Sequence, residues 1–299
     1  MISISQLRAH PKVLDAGMAT GLENLGYDLS GELWSAKILL EDPAAISAVH
    51  QSHVDAGAEI ITTASYQISA QGFEKVGRDP QSVSTAISKS IELAREVAER
   101  AEHEVWVAAS IGPYGAVLAD GSEYRGDYVI SREALLDFHA ERLTAFAQAA
   151  PDIFAFETIP SVVEISVINE LAKEFNIPIW ISASAKNADQ ISDGTDIAKA
   201  FSQVDAKQVI AVGVNCTKPE HITSLLLHME SELPKIVYPN AGRTWDAVSR
   251  TWLDEGIAAI PHAEISNWQK AGAVIIGGCC GLGTQQISNT REVLQKSHF

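Results

Sequence analysis

Short apolar runs rich in β-branched residues recur along the chain, separated by longer stretches in which apolar residues return every three or four positions. The runs are KVLDAG (12–17), AEIITTAS (58–65), VWVAASIG (105–112) and DIFAFET (152–158), then PIWISAS (178–184), QVIAVGVN (208–215), PKIVYPN (234–240) and AVIIGG (273–278). Each is nearly continuous instead of alternating, the pattern of a parallel strand covered on both faces. Between them the period changes. In 84–101, Ile87, Ile91, Ala94, Val97 and Ala101 fall on one face of a 3.6-residue repeat, which predicts an amphipathic helix. Asp42-Pro43 reads as a cap with proline at the first helical position. Ser161 with Glu164 reads as a capping box opening a helix to about Phe175, and Thr217-Lys-Pro-Glu220 as the start of another.

Strands alternating with helices across 299 residues predict a closed (β/α)8 TIM barrel in a single domain, 1–299. An open doubly wound sheet would bring a glycine-rich nucleotide loop after the first strand, and LDAGMATGLE does not match G-x-G-x-x-G. The segment 112–131 is too long for a plain connection and predicts a working loop beyond the third strand.

Charge narrows the range of partners. Lysine and arginine total 22 against 38 aspartates and glutamates, a net charge of −16 with no basic run. Nucleic acid and anionic membrane are therefore disfavoured as partners, because both demand a basic patch. No apolar run approaches the ~20 residues of a membrane helix, and the N-terminus carries no export signal, so the expectation is a cytoplasmic chain. Nothing in the pattern sets an oligomeric state. The 3 cysteines are an odd number that cannot form a closed disulfide set, and in a reducing compartment they are more often catalytic or metal-binding.

All of them stand at strand ends: Cys216 after the sixth run, Cys279 and Cys280 after the eighth. Barrel enzymes carry their chemistry at the C-terminal ends of the strands, where distant segments converge. Two readings of the cysteines stay open. They can pack as small hydrophobes, or three thiolates can hold zinc with its fourth position free for a substrate. Asp15 closes the first run and Glu157 the fourth; each is a solvated rim acid or a clamp for a cationic group. His50 and His53, three apart on a helix, read as structural or solvated groups on the barrel exterior. Tyr114, Tyr124, Tyr128 and Arg125 in the long loop either cover a ligand or pack.

Taken together, LDAGMAT (14–20), LWSAK (33–37), TASYQ (63–67), SIGPYGA (110–116), LADGSEYRGDY (118–128), FET (156–158), GVNC (213–216), VYPN (237–240) and GGCC (277–280) resemble the homocysteine S-methyltransferase family, along nearly the whole chain. The SIGPYGA and LADGSEYRGDY segments narrow the resemblance to the branch that uses S-methylmethionine. The resemblance implies Zn2+ on Cys216, Cys279 and Cys280. It implies Asp15 and Glu157 around the homocysteine amino group, with the backbone of Ala16 and Gly17 and residue Asn215 completing the substrate contacts. Tyr114 would face the sulfonium donor, and Asp120 and Glu123 would add negative charge beside it. The implied reaction moves a methyl group from S-methylmethionine, or S-adenosylmethionine, to homocysteine and gives methionine. Other readings on the same scaffold are a methyltransferase for selenocysteine or another thiol, and a homocysteine- or zinc-binding protein without turnover. The first segment departs from the family's usual DGAMAT followed by glutamate or glutamine: here it is DAGMAT followed by Gly21.

Overall fold

The computed structural model describes residues 2–29, 33–243, 245–246, 251–252 and 256–296. The strands are β1 (Lys12–Val13), β2 (Ile60–Thr62), β3 (Trp106–Ile111), β4 (Ile153–Ile159), β5 (Ile179–Ala183), β6 (Val209–Asn215), β7 (Lys235–Tyr238), a hairpin β8 (Trp245–Asp246) with β9 (Thr251–Trp252), and β10 (Ala273–Ile276). Eight of them form one parallel sheet in the order β1-β10-β7-β6-β5-β4-β3-β2. A parallel bridge between Leu14 and Ile60, with Asp15 N–H donating to the Ile60 carbonyl at 3.0 Å, brings its two edges together. The result is the expected (β/α)8 barrel, and every expected strand is present. The ladders of β1 and β2 are shorter than the apolar runs.

Helices follow the strands: α1 (Ile4–Ala9), α2 (Met18–Asn24), α3 (Ser35–Glu41), α4 (Pro43–Asp55), α5 (Ala70–Lys75), α6 (Val83–Arg100), α7 (Tyr114–Leu118), α8 (Arg132–Gln148), α9 (Val162–Ala172), α10 (Ile197–Phe201), α11 (Pro219–His228), α12 (His262–Lys270) and α13 (Thr284–Lys296). The predicted amphipathic face of α6 is the buried one, with Ile87, Ile91, Ala94 and Val97 inside. Proline 43 opens α4 as expected, but Asp42 spends its carboxylate on the Tyr27 hydroxyl and makes no side-chain cap. The capping box at α9 is half formed. Ser161 Oγ accepts from Glu164 N–H at 3.2 Å, whereas the Glu164 carboxylate turns to the 112–131 loop and α8. Thr217 does not cap α11; Lys218 holds that place, and the Thr217 hydroxyl donates to the Asn215 carbonyl at 2.9 Å. No helix among the described residues is long and apolar enough to cross a membrane.

Two apolar layers hold the barrel. One lies between strands and helices; the other fills the interior, with Leu14, Ile60, Ala108, Ala155, Trp180 and Ile236, and Leu7 of α1 packed against it. Neighbours two apart on a strand face the same side. Continuing two residues along five of these strands gives Thr62, Ser110, Glu157, Ser182 and Tyr238. The interior therefore turns from apolar to polar toward the C-terminal mouth, where buried polar groups must find partners or ligands. Gly21 lets α2 lie close on α4, since a Cβ there would stand 2.5 Å from a Val49 methyl.

Candidate metal and substrate site

β6 and β10 deliver the cysteines to one point. Cys279 Sγ lies 3.0 Å and Cys280 Sγ 3.5 Å from Cys216 Sγ, with 4.0 Å between the adjacent pair. Backbone bonds set this arrangement: Cys216 N–H donates to the Tyr238 carbonyl at 3.0 Å, and Cys279 N–H to that of Pro239 at 2.8 Å. Cys216 is held at φ +47°, a left-handed conformation that a non-glycine residue adopts only under local constraint. Hydrogen bonds from the Cys279 and Cys280 thiols hold the Cys216 thiol well below its usual range. Sharing that bond with Cys216 pushes Cys279 and Cys280 well above theirs. Three thiols this close, all free, can hold a metal ion; soft sulfur ligands select soft or borderline cations.

The thiols line a cavity that opens to solvent. Asp15, Ala16, Gly17 and Glu157 are on its wall, so this set is brought together with the cysteines. Asp15, 2% exposed, accepts from Thr62 N–H at 2.7 Å and Thr62 Oγ1 at 3.0 Å. Glu157 accepts from Ser110 Oγ, and burial, opposed by that bond and reinforced by the Asp15 charge, pushes it up to about 7. No lysine, arginine or histidine belongs to the wall among the described residues. A buried wall of acids and thiols with no cation of its own calls for cations from outside.

Gly17 is required where it stands. A Cβ there would lie 2.8 Å from the Cys279 carbonyl oxygen and 2.8 Å from Thr20 Oγ1, so the first loop could not close on the cysteine pair. Two expected contacts are not on the wall. The ring of Tyr114 packs edge-on against Tyr128 and Phe138, and its N–H donates to Glu164 at 2.8 Å. Asn215 is fully buried below the cavity, where its Oδ1 accepts from Thr158 N–H at 2.7 Å and from Ser182 Oγ at 2.8 Å. Its Nδ2 donates to Thr158 Oγ1 at 2.8 Å.

Other wall residues escaped sequence reasoning: Trp34, Thr62, Tyr66, Ser110 and Tyr238. Trp34 and Tyr66 sit inside quoted segments whose aromatics gave a signal; Thr62 and Ser110 gave none beyond their place near strand ends. The 112–131 loop forms a roof. It winds through α7 and a short 3-10 turn at Ser122–Tyr124, and brings Tyr124 Oη to 3.5 Å from Cys216 Sγ. His50 and His53 are buried, not solvated, and His53 Nδ1 lies 3.8 Å from Asp15 Oδ2.

The family model described as homocysteine S-methyltransferase matches residues 12–294. The chain is 44% identical over 285 residues to Homocysteine S-methyltransferase YbgG of Bacillus subtilis (strain 168), covering 90% of this chain and 89% of that one. It is 43% identical over 279 residues to the Homocysteine S-methyltransferase of Escherichia coli (strain K12), covering 90% of each. The crystal structure of the metallated form of the homocysteine methyltransferase MmuM from Escherichia coli matches it with a TM-score of 0.84 at 37% identity, over 96% of this chain and 98% of that one. Agreement that runs from the first barrel strand into the last helix leaves one assignment: the chain belongs to the homocysteine S-methyltransferase family.

Proposed function

We propose that this chain methylates the sulfur of homocysteine to give methionine, with S-methylmethionine as donor and zinc held by Cys216, Cys279 and Cys280. The observation that carries the reading is the wall itself: three thiols and two carboxylates around one cavity, with no cationic side chain among the described lining residues. The metal fits this donor set. A Zn–S distance of ~2.3 Å in a tetrahedron corresponds to sulfur separations of about 3.8 Å, against the 3.0, 3.5 and 4.0 Å found. A set of three protein ligands is also the catalytic pattern, since structural zinc takes four. Free thiols as ligands are consistent with a reducing cytoplasm.

Bound there, zinc supplies a Lewis acid that makes an acceptor thiol, with pKa ~8.5 when free, available as thiolate at neutral pH. Asp15 and Glu157 take the acceptor's ammonium group, and the Thr62 and Ser110 hydrogen bonds fix the direction of both carboxylates. Gly17 and Ala16 bring the first loop against the cysteine pair, closing the wall beside the acceptor. Tyr124 reaches down from the roof loop to Cys216 beside the acceptor's place. Holding acceptor and donor in line converts a bimolecular encounter into a positioned one. The sulfonium departs as a neutral thioether, so no side chain has to protonate it, and the wall offers no histidine or lysine for that task among the described residues.

The test is a transfer assay with zinc-loaded protein, backbone-labelled homocysteine and unlabelled S-methylmethionine or S-adenosylmethionine in parallel. Labelled methionine formed faster from S-methylmethionine, and lost on chelation, is the expected result. Homocysteine binding without turnover from either donor would return the protein to a binding role.

A further inference from the structure

The roof loop carries three acids, and their surroundings differ. Asp120 and Asp127 are exposed and already paired: Asp120 Oδ1 accepts from Ser122 N–H at 2.9 Å, and Asp127 Oδ2 from Arg125 Nε at 3.0 Å. Glu123 is 9% exposed, and its Oε2 is buried with no hydrogen-bond partner. Arg125, the nearest cation in the loop, is committed to Asp127 and to the Asp120 carbonyl at 3.0 Å. Nor is the placement a product of a loose loop. Ser184 Oγ donates to the Glu123 carbonyl at 2.9 Å, and Ser122 Oγ to that of Gly115 at 3.3 Å. A Cβ on Gly115 would meet Glu123 N at 2.7 Å.

The carboxylate belongs to the residue just before the cavity wall, and it feels the charge of Cys216. The following residue, Tyr124, lines the cavity and touches Cys216. Burial pushes Glu123 up to about 7, and burial, followed by the Glu123 charge, raises the wall phenol Tyr66. Tyr66 Oη, with Thr158 as its polar neighbour, is buried without a bond of good geometry. A pinned, buried carboxylate with an unpartnered oxygen, and with its nearest cation bonded elsewhere, marks the place of a cation that arrives with a ligand. The acceptor's ammonium already has Asp15 and Glu157.

We infer that Glu123 is the specificity-determining residue for the methyl donor, its carboxylate compensating the positive charge of the sulfonium under the roof loop. This inference rests on the reading of the donor as a sulfonium. The sulfonium sulfur, unlike the donor's own ammonium, carries no N–H to donate, so its recognition falls to charge at close range. The charge disappears as the methyl leaves, so Glu123 acts on donor binding more than on the chemical step.

Steady-state kinetics of zinc-loaded Glu123→Gln test this, with S-methylmethionine as donor and methionine as a neutral thioether inhibitor. The donor KM rises about tenfold or more, while kcat, homocysteine KM and zinc content stay within about twofold. Inhibition by methionine is unchanged, so preference for sulfonium over thioether collapses; Glu123→Asp, which keeps the charge, recovers part of it. An unchanged donor KM, or an equal loss for donor and methionine, overturns the assignment. A wild-type protein that turns over no sulfonium overturns the functional reading, and the Glu123 assignment with it.

Discussion

Asp15→Asn isolates the charge of the acceptor clamp. The side chain keeps its shape, and Thr62 N–H, 2.7 Å from Asp15 Oδ2, still finds an amide oxygen. What is lost is a negative charge at a site 2% exposed. A hydrogen bond to a charged partner contributes about 1.5–3 kcal/mol, and breaking a buried pair costs about 3–5 kcal/mol. Glu157 remains to share the ammonium, so the lower range applies, about 2–3 kcal/mol, or roughly 30- to 150-fold in homocysteine affinity. The assay is a double cycle: homocysteine and its analogue lacking the ammonium, 4-sulfanylbutanoate, each titrated against wild type and variant. The variant, left with Glu157 alone, prefers homocysteine over the analogue by roughly 30- to 150-fold less than wild type does, and the coupling energy recovers the Asp15 pair. A second consequence concerns Glu157, which binds the ammonium only when ionised. Burial, together with the charge of Asp15, holds it up to about 7, so acceptor affinity grows as pH rises through that value. Removing the Asp15 charge moves this limb to lower pH. A variant that keeps the wild-type preference for homocysteine, or its limb near pH 7, refutes the clamp.

Cys216→Ala lowers zinc affinity by about three orders of magnitude or more in competition with a chromophoric chelator, while circular dichroism of the barrel stays as in wild type. Gly17→Ala forces a Cβ to 2.8 Å from the Cys279 carbonyl oxygen, and the repair costs about 1–3 kcal/mol in denaturant unfolding with a clear fall in kcat/KM. Wild-type activity and stability there would show that the first loop has room to spare. His50, fully buried with both ring nitrogens unpartnered, is lowered to about 3 by burial and by His53. Below pH 6.5 the unfolded chain takes a proton that the folded chain refuses, so stability falls by ~1.4 kcal/mol per pH unit, or about 2 kcal/mol at pH 5. His50→Leu removes one proton from the slope of unfolding free energy between pH 6.5 and 5; equal slopes would contradict the burial argument.

The strands and the metal site were legible for the same reason. A parallel strand buried on both faces must be apolar along its length, so its end is marked by the first polar or cysteine residue, as at Asp15, Glu157 and Cys216. Roles that depend on where a side chain turns were not legible. Tyr114 looked like a donor contact because it offers an aromatic face in the long loop, yet α9 draws its N–H to Glu164 and α8 packs Phe138 on its ring. The two histidines of α4 fit an exterior helix by spacing, but the face bearing them is the one laid on the barrel. Asp120 and Glu123 are the same chemistry three positions apart; only the path of the loop exposes one and buries the other.

Asn215 shows how the two halves of the site are set in relation to each other. Thr158, next to the Glu157 clamp, sits at φ +61°, and Cys216, next to Asn215, at φ +47°. A left-handed β-branched residue costs on the order of 1–3 kcal/mol and persists only where its surroundings over-determine it. Both amide atoms of Asn215 close on Thr158, at 2.7 Å to its N–H and 2.8 Å to its hydroxyl. The Asn215 carbonyl takes the Thr217 hydroxyl on the far side of Cys216. One buried amide thus fixes the strained turn that aims the acid and anchors the strand end that carries the thiol. The separation between the Glu157 carboxylate and the Cys216 thiol is in this way built into the barrel wall before any substrate arrives. That is the pre-organisation a positioned methyl transfer requires, and the strain at two adjoining residues is its cost.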